Sequence, residues 1–291
     1  MDRKRAVNST GERASAKLRK ARIRHFLLTT GPNRLTRGWF YRRHHAEDVL
    51  VREEEIIVPG WPTAFDGIRI GHISDIHVGD LMHADRALGV VEQLRSAAPD
   101  MICNTGDLVD LHWPGVEPVA EAIADIKAPL GNFFVLGNHD LLDSGDEVAR
   151  IVSEAGTTVL QDEVALVRRG GDELRIGGIG WGRTTSRCEQ RIDRAIGDET
   201  VDLLLSHNPK AIDHAATKGI PLTLSGHTHG GQIASRSRPN ANLAIIHGHI
   251  RNAGLYKHGD SRLFVTVGAG SLFPLRLNVP AEIAILTIRS Q

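Results

Sequence analysis

The chain predicts an α/β fold with mixed rather than purely parallel sheets. Short apolar runs alternate with segments of helical spacing between residues 68 and 136. Three of those runs end in polar clusters, the arrangement found at the carboxyl edge of open α/β sheets, where ligand sites gather. Farther along, Arg169-Gly170-Gly171-Asp172 joins two apolar runs as a hairpin, which argues against an all-parallel sheet.

Taken in order, the first 13 residues are polar and expected to be disordered. From Ala14 to Leu28, the residues Ala14, Leu18, Ala21 and Phe26 can share one helical face beside Lys17, Arg19, Lys20, Arg22 and Arg24. This reads as a short basic amphipathic helix, ended by Gly31-Pro32. The triplet Trp39-Phe40-Tyr41 follows beside Arg42 and Arg43. Residues 1–48 are therefore read as a basic arm and residues 49–291 as the folded domain. Within the domain, Val49–Pro59 is an entering strand, and Ile68–Ile73, Met101–Asn104 and Asn132–Leu136 are the three loop-tipped strands. Helices are expected over Ala84–Ala97, Val116–Ile126, Asp146–Ala155, Cys188–Ile196 and Ala211–Lys218. Further strands are expected near Thr158–Leu160, Val164–Val167, Leu174–Ile179, Val201–Leu205, Ile220–Leu224, Leu243–Ile246, Leu263–Val267 and Ile283–Ile288.

With 41% apolar and 24% charged residues in 291, the composition is that of an ordinary soluble globular protein. Zero net charge speaks against generic nucleic-acid binding. That average hides an asymmetry, because residues 1–43 carry 13 Lys or Arg against only Asp2 and Glu12. Basic and aromatic residues together suit an anionic membrane surface, so residues 14–43 are expected to make peripheral membrane contact. Cys103 and Cys188 form no disulfide framework. With neither an apolar span nor a signal-like apolar region, the expected location is cytoplasmic, at the inner face of the membrane if the arm binds there. The sequence sets no oligomeric state.

The chemistry-bearing residues fall on five strand-end loops: Asp75 and His77, Asp107, Asn138, His207, and His227 with His229. These carboxylates, amide and imidazoles could make two adjacent metal sites if one carboxylate bridges them. Mixed oxygen and nitrogen donors favour manganese, iron or zinc over calcium or magnesium, and manganese is the ion expected. The absence of thiolates among them argues against a structural zinc site.

Asp75-Ile76-His77, Gly106-Asp107, Gly137-Asn138-His139-Asp140, His207 and Gly226-His227-Thr228-His229 resemble the five blocks of the calcineurin-like metallophosphoesterases. The resemblance covers residues 68 to 288 and implies a four-layer α-β-β-α sandwich with a dinuclear centre at one edge. By motif it gives Asp75, His77 and His229 to one metal and Asn138, His207 and His227 to the other, bridged by Asp107. It makes His139 the catalytic histidine, with Asp140 orienting its ring, and a metal-bridging hydroxide the nucleophile.

Other residues are read more plainly. Asp110 is taken as a helix cap, and His247-Gly248-His249 as a strand and turn away from the site. His83 and His112 are expected at the surface.

The ending from Val267 to Ile283 resembles bacterial enzymes of the membrane-associated YkuE-like type, some of whose relatives cleave the pyrophosphate of UDP-2,3-diacylglucosamine. Two departures are that a basic arm stands where such relatives often carry an apolar anchor, and that Pro280-Ala281-Glu282 replaces their Pro-Pro-Glu. The resemblance implies a phosphodiester or pyrophosphate hydrolase acting on a lipid-linked or nucleotide substrate. The alternatives are a soluble cyclic-nucleotide or general phosphodiesterase and, more remotely, a non-catalytic scaffold.

Overall fold

A computed structural model describes residues 16–236, 242–246 and 248–291. Among them, six strands form one sheet in the order β1 (Leu50–Val58), β12 (Glu282–Ser290), β2 (Arg69–Ile73), β3 (Met101–Asn104), β4 (Asn132–Phe134) and β5 (Thr158–Val159). The second sheet runs β10 (Gly254–His258), β11 (Ser261–Val265), β9 (Leu222–Ser225), β8 (Leu203–Ser206), β7 (Asp172–Ile179) and β6 (Glu163–Arg169). Each sheet is mixed: β2, β3, β4 and β5 pair in parallel, as do β7, β8, β9 and β11, while β12 runs antiparallel to β2 and β6 to β7.

The period of two along each strand builds the layers. Met101 and Cys103 join an apolar cluster that also holds Leu203, Leu205, Leu222 and Phe264 of the other sheet. Ile102, between them, faces helices α4 (Ala84–Ser96), α5 (Glu117–Ala124) and α6 (Gly145–Glu154). Leu204 likewise turns away from the inter-sheet core toward α7 (Thr185–Ile196) and α8 (Ile212–Thr217). The result is helices, sheet, sheet, helices. Both cysteines are buried as small apolar groups, and burial pushes the Cys188 thiol up to about 11.

Three local expectations are corrected. Leu243–Ile246 is a short helix, α9, because Asn242 Oδ1 accepts the Ile245 N–H at its start; a four-residue apolar run alone cannot distinguish the two. Gly254–His258, outside the expected strands, is a strand paired antiparallel with β11. The arm helix does not stop at Gly31-Pro32. Residues 16–25 are helical (α1), a π-helical turn spans Phe26–Thr30, and α2 (Gly31–Leu35) follows directly. Proline is tolerated in a first helical turn, where its missing N–H would be unpaired anyway. Helix α3 (Trp39–His45) then leads into β1.

The arm lies on the domain. Ala21 and Thr29 are buried, and the Thr29 hydroxyl donates to the Leu272 carbonyl at 3.2 Å. His25 Nε2 lies 2.9 Å from Asp80 Oδ2 and its Nδ1 lies 3.2 Å from Asp110 Oδ2. Carboxylates on both ring nitrogens require a doubly protonated ring. The hydrogen bond to Asp110 accordingly raises the His25 pKa, with Asp80 adding to it and burial opposing. A raised pKa means this latch contributes fully below the ordinary histidine value of 6.5 and is lost as pH climbs through the raised value. His25→Ala is expected to speed amide exchange across residues 16–25 about tenfold at pH 6, with a smaller effect at pH 9. Equal protection of the two proteins at pH 6 would show that the latch does not hold the arm.

Candidate metal centre

Five loops leave the carboxyl ends of parallel strands and converge at one edge of the sandwich. Strands β2, β3 and β4 deliver Asp75 and His77, Asp107, and the run Asn138-His139-Asp140. Strands β8 and β9 deliver His207, and His227 with His229. The two sheets are tied at this edge: His207 Nδ1 meets the Thr105 carbonyl at 2.7 Å, and the His227 N–H donates to Asp75 Oδ2 at 2.9 Å.

The backbone here is bent against preference. Asp75, His77, Asp107, His227 and His229 all have φ between 50° and 72°. Such left-handed conformations in non-glycine residues cost on the order of 1–3 kcal/mol each and persist only where the surroundings enforce them. Close approach also dictates glycine. A Cβ on Gly226 would collide with Ser74 Oγ and the Asp75 carboxylate, and one on Gly137 would collide with the Asp107 carboxylate.

The ligand atoms gather in groups. Asp75, His77 and His229 lie within 4.8 Å of one another, as do Asp107, His207 and His227, and a third set joins His77, Asp107 and His139. His77 Nε2 is 3.1 Å from His229 Nε2, and Asp75 Oδ1 is 3.3 Å from the latter. Asp107 Oδ2 sits between the two main sets, 3.1 Å from His207 Nε2 and 3.7 Å from His77 Nε2. Asn138 lines the same cleft as His227 and His139.

A cation fits this constellation. Asp75 Oδ1 and Asn138 Oδ1 are buried without a hydrogen-bond partner, an arrangement that is costly unless something positive faces them. Burial, followed by the charge of a neighbouring imidazole, pushes His77 down to about 3 and His227 and His229 well below their ordinary value. All three are then neutral, with lone pairs available to a metal. Burial opposes a charge on His207, but Asp107 and Asp75 push its pKa up to about 9, so a cation binding there would displace a proton. Burial would also raise Asp107, yet His207 and His139 hold it well below the carboxylate range.

The position of Asp140 corrects the sequence reading. Its carboxylate accepts the N–H groups of Asp107, Leu108, Val109 and Gly137 rather than the His139 ring. The ring is held instead by Asp110, whose carbonyl lies 2.6 Å and whose Oδ1 lies 3.3 Å from His139 Nδ1. Asp110 is therefore no simple helix cap. The clue was its place three residues after Asp107 on the same loop. His249 also departs from expectation, with its ring centroid 5.0 Å from that of His227; His247 lies outside the described residues. His112 faces the arm, its Nε2 3.0 Å from Arg22 Nη2.

Other site neighbours carried no signal in the sequence. Trp181 packs its ring 4.6 Å from that of His227. Arg276 is buried behind His229, 3.3 Å from its Nδ1, with carbonyls of Val267, Gly268, Gly270 and Val279 around the guanidinium. Gln232 ties the His227–His229 loop to the carboxyl-terminal stretch through Leu272, Phe273 and Leu275. Above the centre lies a cleft of about 850 Å³, lined in part by Asn138, His139, Trp181 and the arm helix.

Gly226→Ala is expected to weaken Mn²⁺ binding at least tenfold by calorimetric titration, since the added methyl displaces Asp75. An unchanged affinity would mean that Asp75 is not held in place by this contact.

Comparison with known proteins agrees with this geometry. The calcineurin-like phosphoesterase family matches residues 68–252. The chain is 29% identical over 272 residues to the uncharacterized metallophosphoesterase YkuE of Bacillus subtilis, covering 87% of this chain and 90% of that protein. It is 33% identical over 234 residues to an uncharacterized metallophosphoesterase of Helicobacter pylori, covering 76% of this chain and 60% of that protein. A solved structure of a novel archaeal phosphodiesterase is similar at 13% identity and a TM-score of 0.40, over 69% of this chain and 85% of that one, too distant to carry an argument about substrate. Five histidine- and carboxylate-bearing loops at one sheet edge, and a match that spans all of them, place the chain in the calcineurin-like phosphoesterase family.

Proposed function

We propose that the chain hydrolyses a phosphodiester or pyrophosphate bond of a lipid-linked or nucleotide substrate at a dinuclear centre. In this reading Asp75, His77 and His229 hold one divalent cation, Asn138, His207 and His227 hold the other, and Asp107 bridges them. The observation that carries it is the pair of buried ligand sets flanking the shared Asp107. Manganese is the ion favoured by the mixed donor set, with iron or zinc as alternatives. When bound, the cations supply a water of lowered pKa and polarise the phosphoryl oxygens. His139, seated on Asp110, delivers a proton to the leaving oxygen. Asp140 acts from behind, fixing the loops that present Asp107 and Asn138.

Asp107→Ala and His229→Ala are expected to lower Mn²⁺-dependent turnover of bis-p-nitrophenyl phosphate by about a thousandfold or more, the scale of losing transition-state charge stabilisation. Full residual activity in either variant would overturn the ligand assignment.

The lipid-linked reading is supported by the outer face of the arm. Phe26, Leu27 and Leu28 are about half exposed or more, at 51%, 62% and 49%, and Leu35 is 87% exposed. Apolar exposure beside basic residues suits a peripheral membrane surface, and no described helix is long and apolar enough to cross a membrane. A substrate such as UDP-2,3-diacylglucosamine, with acyl chains and a pyrophosphate, matches both the apolar face and the centre. Leu27→Asp with Leu28→Asp is expected to cut co-sedimentation with phosphatidylglycerol vesicles at least fivefold, as two desolvated leucines are worth a few kcal/mol. If wild type and variant pellet equally, the arm does not anchor the protein and a soluble nucleotide substrate is favoured.

A further inference from the structure

We propose that helix α1 is a wall of the substrate site: Arg24 engages the scissile phosphoryl group, and Lys17 and Lys20 act with Arg183, Arg187 and Lys210 to hold a second anionic group of the same substrate. This deepens the phosphoesterase reading and rests on it.

The geometry of Arg24 comes first. Its Nη2 lies 3.0 Å from His139 Nε2, and the His139 ring packs 4.5 Å from that of His77, within one of the candidate ligand sets. A guanidinium can only donate, and it binds phosphoryl oxygens in a planar, two-pronged manner that an imidazole nitrogen cannot satisfy. Arg24 therefore rests on a poor partner beside one of the candidate ligand sets. An entering phosphate would take both prongs and free Nε2 of His139 to take up from solvent the proton it gives to the leaving oxygen.

The rest of the cleft points to a second charge. Eight of its lining residues are Lys or Arg, and none of those described is Asp or Glu. Arg191 and Arg194 are already paired with Asp162, at 2.8 and 3.1 Å. The remaining six include all three contributed by α1, so half of the cations not paired with Asp162 line the cleft only because the arm is docked. A phosphodiester carries one negative charge, and a dinuclear centre absorbs it. Cations gathered beyond that centre raise mutual repulsion unless another anion enters among them. A substrate bearing a second phosphate meets that requirement, and one with a single internal phosphodiester does not.

The test uses the full chain loaded with Mn²⁺, with AMP and adenosine 3′,5′-bisphosphate as probes in calorimetric titration. The bisphosphate is expected to bind at least tenfold more tightly than AMP. The ratio should fall toward one in Lys17→Gln/Lys20→Gln and in Arg183→Gln/Arg187→Gln, with unchanged thermal melting showing that both remain folded. Equal affinities in the wild type, or a ratio untouched by both double variants, would overturn the second-anion site. For Arg24, Arg24→Gln is expected to lower kcat on bis-p-nitrophenyl phosphate at least twentyfold, and Arg24→Lys to restore part of it. A loss confined to KM, or no loss, would remove Arg24 from the reacting phosphate. If the wild type fails to turn over this ester at all, the phosphoesterase reading falls separately, while the titration still decides the anion site.

Discussion

The Asp140 carboxylate accepts four backbone N–H groups, from Asp107, Leu108 and Gly137 at 2.8 Å and from Val109 at 3.2 Å. It thereby clamps the loop after β3 to the loop after β4. Burial and the nearby Asp107 charge push its pKa up to about 6, while the N–H donors pull the other way. Removing the carboxylate would orphan four buried donors, each worth about 1–3 kcal/mol. It would also release the left-handed turn that presents Asp107. The geometry of the candidate ligands on the first sheet is thus braced by a carboxylate whose hydrogen bonds go to backbone N–H groups.

Charge is sorted by depth around that clamp. At the bottom, carboxylates face the imidazoles of His77, His227 and His229, which burial keeps neutral, and Asp75 Oδ1 and Asn138 Oδ1 lack hydrogen-bond partners. Above them the cleft is lined by cations, several borrowed from the arm. Asp110 connects the two levels, because its carboxylate lies 3.3 Å from His139 Nδ1 and 3.2 Å from His25 Nδ1. Burial works against its ionisation, but hydrogen bonds from His139 and His25 hold the group well below the carboxylate range. An acid that stays charged at this junction steadies the His139 ring and the arm together.

Much of the fold was legible because central strands such as β3, β8 and β9 are short and buried on both faces, so apolar runs and polar loop tips stand out in turn. The candidate ligand residues stood out for a related reason: histidines and aspartates directly after such runs are brought to one sheet edge. Direction was not legible. Asp140 adjoins His139 in sequence, yet the turn after β4 sends the two side chains apart, and the ring meets Asp110 from another loop. Leu243–Ile246 failed for want of length, since four apolar residues satisfy either period. Docking of the arm is a tertiary fact, carried by pairs such as Arg24–His139 that lie 115 residues apart.

The position of β12 has a consequence for how the molecule is made. The last strand lies between β1 and β2, pairing parallel with one and antiparallel with the other. The edge strand β1 has no partner in the first sheet until residues 282–290 exist. During synthesis β1 must therefore wait unpaired in its sheet while residues 59–281 are made behind it. Contacts this far apart in sequence are slow to form and leave strand edges open meanwhile. The first sheet can close only once residues 282–290 have been made.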